Sequence, residues 1–360
     1  MSAASDGHVD GLVREDLVSF LMCPSCQGDL LLARAIRSGR TIVAGDLVCD
    51  NCQARYPIIE GVPDFVGVSQ AGDVGQTTEG FAGNWKHYNR VILENELLNR
   101  DLFTDWIWPM APTHFEDKVV VEAGCGMGRW LRLAAEQRPK VLIGFDYSTV
   151  AYTAQRNVAH LDNVHVIRAD IYHLPIRPVV DVNYSIGVVH HTPDPALAFD
   201  RLTKMLAPDG VISCWVYGQE NNGWITRFVD PVRKKVTSRL APSALKLVST
   251  VAAGNVRAAA ELYAAIGAPS WLPYREYLLH LREYPFGYMT HIVYDHLIPS
   301  LAHYLPKEDL VQWVEGLAFV LSPRNANSWR LLAGRSPDAV RAAMAPLRAA
   351  DLPADVTLRL

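Results

Sequence analysis

Apolar positions recur along this chain with two different periods. Between about Phe81 and Gly218, short β-branched runs alternate with stretches of helical spacing. Lys118–Glu122 is a β-branched run that ends at a glycine turn, which marks a buried strand. Arg129–Arg138 predicts the helix that follows, Val141–Phe145 a second strand and Thr149–Leu161 a second helix. Val164–Arg168 and Val182–Ile186 predict the third and fourth strands. Pro195–Leu206 predicts a helix stopped by Pro208-Asp209-Gly210, and Val211–Tyr217 a fifth strand. Repeated strand–helix units bring such strands into one parallel sheet with helices on both faces.

The texture changes on either side. Up to about Asp64 the chain is punctuated by cysteines, and a linker rich in Gly, Gln and Thr follows (Gly67–Thr78). Asn222 to about Tyr284 has helical texture and no strand alternation, with Leu245–Ala265 rich in Ala, Leu and Val. Beyond it, Lys307–Leu317 predicts a helix and Trp329–Gly334 a short last strand. The helical stretch reads either as a packing or oligomerisation element or as a lid over a substrate. Its basic cluster, Arg233-Lys234-Lys235, reads as a solvated helix face rather than a phosphate site.

Composition narrows the classes. The 360 residues are 49% hydrophobic, enough for a real core, and carry a formal net charge of -4. That balance disfavours a general nucleic-acid binder, which would show a basic surface. No charge-free apolar run approaches the ~18 residues that span a bilayer. Met1–Asp16 is polar and acidic, without the apolar core of a signal peptide, so a cytoplasmic setting is expected.

Four of the six cysteines form two CxxC pairs, Cys23-Pro-Ser-Cys26 and Cys49-Asp-Asn-Cys52. Each pair can fold into a tight turn that aims both sulfurs at one centre. Two such turns make a closed tetrahedral thiolate site of the kind zinc takes in structural sites. A redox CxxC is the alternative, but it would occur once, at the start of a helix. With Tyr56-Pro-Ile-Ile-Glu-Gly-Val-Pro-Asp-Phe, these turns resemble the Trm112-like zinc ribbons, which stand alone as methyltransferase partners or are fused ahead of one. The resemblance implies a structural Zn2+ on Cys23, Cys26, Cys49 and Cys52.

The central motif is Val119-Val-Val-Glu122-Ala-Gly124-Cys-Gly126-Met-Gly128. Glycine serves where backbone must turn sharply and approach a ligand closely. A dinucleotide fingerprint would need a third glycine at position 129, which is Arg, so the NAD reading fails on spacing. Glu-x-Gly-x-Gly-x-Gly resembles motif I of the class I S-adenosylmethionine-dependent methyltransferases. The acid Asp146 ends the second strand where a ribose-binding carboxylate belongs. Ser185-Ile-Gly187-Val-Val-His190-His191-Thr-Pro-Asp194-Pro resembles the motif after strand 4 in the methyltransferase type 11 group. The resemblance implies S-adenosyl-L-methionine held by Glu122, Gly124, Gly126, Gly128, Asp146, Tyr147, Asp170, Ile171 and Gly187. Trp85, within Gln76–Tyr88, would lie on a helix closing over it, or simply pack.

The expected fold is therefore α/β: a Rossmann-like seven-stranded methyltransferase sheet with an N-terminal zinc ribbon and a helical insertion. The ribbon would span 1–66, the core 76–220 and 288–336, and the insertion or lid 221–287. Methyl transfer from a sulfonium is an in-line displacement, and a base near neutral pKa removes the acceptor proton. His191 is the favoured base, with His190 and His296 as rivals; Tyr294, Asp295, His303 and Tyr304 are candidate substrate contacts. The type 11 group mostly methylates small molecules, so the expected partner is a small-molecule acceptor such as a natural product, sugar or lipid hydroxyl, with nucleic acid disfavoured and a homo-oligomer left open. The alternatives are an rRNA base methyltransferase that recognises RNA through its ribbon, and a non-catalytic cofactor-binding scaffold.

Overall fold

A computed structural model describes residues 15–39, 41–67, 73–223, 225–269, 271–272, 274–299 and 301–360. Most of the Met1–Asp16 stretch and part of the Gly67–Thr78 linker lie outside these residues. Among the described residues no helix is long and apolar enough to cross a membrane.

The cysteine-bearing segment folds as a four-stranded antiparallel sheet: β1 (Leu30–Ser38), β2 (Thr41–Cys49), β3 (Arg55–Ile59) and β4 (Val62–Pro63). Two helices, α1 (Asp73–Leu93) and α2 (Glu96–Ile107), lead into the second sheet. Its parallel centre is β5 (Val119–Ala123), β6 (Val141–Asp146), β7 (Val164–Arg168), β8 (Val180–Ile186) and β9 (Leu206–Tyr217). Helices α3 (Arg129–Ala135), α4 (Val150–Val158) and α5 (Pro195–Lys204) connect them. The apolar runs of β5 and β7 are buried at every residue, as expected of strands covered on both faces.

After β9 come α6 (Asp230–Lys235), α7 (Pro242–Ala265), α8 (Arg275–Arg282), α9 (Phe286–Leu297) and α10 (Lys307–Trp313). The chain then returns to the sheet as an antiparallel pair, β10 (Ala318–Arg324) and β11 (Ser328–Gly334). Helix α11 (Pro337–Met344) and a short edge strand, β12 (Thr357–Arg359), complete it. The order is β12-β10-β11-β9-β8-β5-β6-β7, eight strands where seven were expected. The addition is β12, which pairs with β10 beyond the predicted end of the core. β10 was missed at the sequence level: its Pro323 and neighbouring turn residues masked a run that is buried at Ala318–Ser322.

The two sheets share one core. Leu17, Leu21, Leu30, Ile42 and Leu47 pack in a single apolar cluster with Val121, Ile143 and Ile167 of the parallel sheet. Backbone contacts fasten the join: Met22 N–H donates to Pro175, Arg177 N–H to Phe20, and Phe65 N–H to Arg168. At its centre the buried Asp64 carboxylate accepts from Arg168 at 2.9 Å and from the Tyr152 hydroxyl at 3.0 Å. Arg168 also donates to the carbonyls of Tyr147 and Gly67. Asp64 therefore reaches, through one guanidinium, the residue next to Asp146.

Candidate active site

The four cysteines of the two CxxC turns converge. Their sulfurs all lie within 4.8 Å of one another, with Cys23–Cys52 at 3.6 Å and Cys26–Cys49 at 3.4 Å. Four sulfurs at ~2.3 Å from one zinc stand about 3.8 Å apart, so the set fits a tetrahedral ion. Burial pushes the Cys23 thiol up, but hydrogen bonds from Tyr56 and the backbone of Cys26 and Ser25 outweigh it and hold it at about 6. Cys26 is lowered as well, whereas Cys52, despite a backbone hydrogen bond at Ala54, is pushed up to about 12 by the other sulfurs and burial, so the case for a metal rests on the convergence of the four sulfurs.

The second site is a cavity of about 1600 Å³ at the carboxyl ends of the parallel strands. Its floor is the turn between β5 and α3. Gly124 has φ +74°, and a Cβ there would stand 2.3 Å from the Val188 side chain. At Gly126 a Cβ would meet the Trp85 indole at 3.4 Å, so Trp85 of α1 lies over the glycine turn. Asp146 ends β6 with one carboxylate oxygen accepting from Gly126 N–H at 3.0 Å, while the other accepts from the Ser148 backbone and hydroxyl. Burial raises its pKa, opposed by those hydrogen bonds. Asp170, past the end of β7, accepts from Tyr172 N–H and contacts His173 at 3.0 Å.

Of the residues singled out in the sequence, Trp85, Gly124, Gly126, Asp146, Tyr147, Asp170, Ile171, Gly187, His191, Asp295, His296 and Tyr304 line this cavity. Five expected residues do not. Glu122 is buried beneath the turn, where the Tyr184 hydroxyl donates to it at 2.8 Å and burial drives its carboxyl well above the usual range. Gly128 turns toward α4, where a Cβ would meet Ala154 at 3.4 Å. His190 is fully buried with neither ring nitrogen partnered, packed on Tyr217 with ring centres 3.9 Å apart, so it cannot reach an acceptor. Tyr294 packs against Tyr88 in a separate apolar cluster. His303 also falls outside the cavity lining.

His191 is held differently from its neighbour. Its Nδ1 lies 2.8 Å from the Leu301 carbonyl, which can only accept, so Nδ1 carries the proton and Nε2 is left as the acceptor. Phe81 and Tyr217 flank the ring. Burial depresses its pKa to about 4, so the imidazole is neutral at physiological pH. His296 lies in the same wall but is exposed, its Nδ1 turned back to the Ile292 carbonyl.

Two cavity residues escaped the sequence reading. Arg129, at the spacing that excluded NAD, is buried at 7% exposure with its guanidinium 3.6 Å from the Trp130 ring centre and 5.8 and 5.9 Å from those of Trp106 and Trp85. It donates to the Tyr288 hydroxyl at 2.9 Å, its Nε has no partner, and it forms no ion pair among the described residues. Arg233, taken for a solvated helix face, is in fact 2% exposed and lines the cavity, whereas Lys234 and Lys235 do face solvent. The expected basic face therefore divides by helical phase. No local signal separates these cases: only the folded chain shows which residue of a basic triplet turns inward.

Residues 121–214 match the methyltransferase domain family Methyltransf_11, and residues 14–61 match the Trm112p-like protein family. The chain carries a methyltransferase domain behind a Trm112p-like segment. The matched stretch holds the glycine turn, Asp146, Asp170 and His191, the residues the sequence singled out for a methyltransferase. Among curated relatives, a tRNA U34 carboxymethyltransferase of Sulfurovum sp. (strain NBC37-1) is 32% identical over 126 residues, covering 31% of this chain and 40% of that protein. Another, from Pseudoalteromonas atlantica, is 25% identical over 127 residues, covering 33% and 39%. The chain thus spans about two fifths of the length of these relatives. A solved magnesium protoporphyrin IX methyltransferase from Synechocystis PCC 6803 aligns over 75% of this methyltransferase-domain chain and 100% of its own, at 12% identity and a TM-score of 0.42. The complex of the Haloferax volcanii Trm112 methyltransferase activator with its putative methyltransferase aligns over 41% and 66%, at 23% identity and a TM-score of 0.32. The curated relatives are named for a tRNA base. That overturns both the expectation of a small-molecule acceptor and the disfavouring of nucleic acid, which rested on net charge averaged over the whole chain.

Proposed function

We propose that this chain methylates a base of a tRNA, with S-adenosylmethionine in the cavity above Gly124 and Gly126 and a zinc ion on Cys23, Cys26, Cys49 and Cys52. The observation that carries the RNA reading is the charge of the insertion. From Asn221 to Arg257 the chain has seven basic residues and one acid, Asp230, which is itself buried. Arg227, Lys234, Lys235, Arg239 and Lys246 are exposed there, on the segment whose Ile225, Val229 and Arg233 line the cavity. A net negative chain can hold such a stripe, and phosphate contacts need only the stripe. The cavity is aromatic and large, as a splayed base requires when it is stacked out of its strand.

The bound cofactor supplies an electrophilic methyl on a sulfonium; what remains for the protein is placement. Asp146 holds the Gly126 amide and Ser148 and keeps one acceptor position for a ribose hydroxyl, and Asp170, in the same cavity lining, can accept from an adenine amino group. Arg129, a buried cation without a carboxylate partner, fits the cofactor's own carboxylate. His191 accepts the acceptor's proton at Nε2, with Nδ1–H anchored on Leu301. A base of pKa about 4 is weak, so the acceptor proton must be acidic or leave late, as the methyl bond forms.

The decisive experiment incubates the protein with labelled S-adenosylmethionine and unmodified tRNA, then digests to nucleosides. Label is expected in one modified nucleoside. Lys234→Glu with Lys235→Glu should lower kcat/KM for tRNA about tenfold or more and flatten its salt dependence. Label absent from RNA, or charge reversal without effect, would refute the reading.

A further inference from the structure

Ile225, Val229 and Arg233 are spaced four apart, and all three line the cavity. This inner face of the segment is apolar except for its last member, a guanidinium with 2% exposure. A cation placed in such a wall is costly unless it is paired. Its partner Asp230 accepts from Arg233, but the same carboxylate also pairs with Lys234 at 2.8 Å. Two cations share one anion, so the cluster keeps one positive charge. The Arg233 Nε–H is buried with no acceptor. Tyr304 completes the surroundings, and the charge is felt by His191, Tyr217 and Tyr304. Arg233 shares this cavity with His191, Tyr217 and Tyr304, and with Arg129 near the glycine turn.

We infer that Arg233, with Tyr304, forms an anion subsite for the phosphate attached to the nucleotide whose base is presented to His191. The proposal rests on the RNA reading above and names the chemical handle by which that site would read its substrate. An orphaned N–H and a surplus charge are what a phosphate oxygen satisfies. The subsite would fix the sugar–phosphate of the extruded nucleotide, so that the base is aligned by its backbone and not by cavity shape alone.

Calorimetry on protein loaded with S-adenosylhomocysteine tests this without requiring turnover. Nucleosides and their monophosphates are titrated into the wild type, Arg233→Gln and Arg233→Lys. The phosphate should improve wild-type affinity about tenfold or more, as charged hydrogen bonds do. Arg233→Gln should abolish that advantage, and Arg233→Lys should keep part of it. Affinity for S-adenosylhomocysteine should stay unchanged, which shows both variants folded. A phosphate that adds nothing in the wild type, or an advantage that survives Arg233→Gln, overturns the subsite. So does an equal fall for nucleoside and nucleotide, because that is the mark of a structural role. If tRNA takes no label while the phosphate advantage is lost in Arg233→Gln, the tRNA reading fails and the anion subsite stands.

Discussion

At the residue scale, the site turns on groups whose neighbours set their state. Asp146 both braces the glycine turn and faces the cavity, so Asp146→Ala removes two functions at once. We expect affinity for S-adenosylmethionine to fall at least about tenfold, read by calorimetry, since charged hydrogen bonds contribute ~1.5–3 kcal/mol each. Unaltered affinity would place the ribose elsewhere. His191 and His190 are adjacent in sequence yet opposite in fate: one ring lines the cavity, the other is sealed behind it. His191→Asn should lower turnover with little change in cofactor affinity, whereas His190→Asn should act through stability. The reverse pattern would exchange their roles.

At the scale of elements, the contact between the cysteine sheet and β7 is the telling one. Asp64 and Arg168 form an ion pair with both side chains only 5% exposed. Removing one partner of such a pair leaves a buried charge behind, a loss of ~3–5 kcal/mol. Asp64→Ala should therefore lower Tm and, because Arg168 also holds the Tyr147 carbonyl, weaken cofactor binding. A variant with native Tm and native cofactor affinity would show that the join is incidental.

At the scale of the whole molecule, one core serves both sheets, so the metal site bears on the entire fold. Stripping the cysteine cluster with a chelator should lower the Tm of the complete chain in one transition, followed by calorimetry; a separate early transition would show that the ribbon melts alone. Acid should act broadly as well. Burial holds His190, His191 and His291 below the ordinary histidine range, so their folded pKa values lie under their unfolded ones. Protons then bind the unfolded chain more readily. The stability these neutral rings confer is whole above about pH 6.5 and is lost as pH falls toward 4. A Tm that stayed level across that window would show these rings to be solvated.

What the sequence determined by itself was local and ordered along the chain. Two CxxC turns, a glycine bend after a β-branched run and acids at successive strand ends each depend on a few adjacent residues; the four sulfurs meet at one point, and Gly124, Gly126, Asp146 and Asp170 share one cavity. The acidic member of the glycine motif shows the limit. Glu122 shares that local pattern, yet its side chain falls on the face covered by Tyr184, and strand alternation alone does not say which face opens on the cavity. Tertiary structure alone decided that Arg129 and Arg233 are buried cations, that β12 extends the sheet and that Asp64 ties the ribbon to β7. Each of these is a contact between residues far apart in the chain, whose energy depends on a surrounding that no short window of sequence contains.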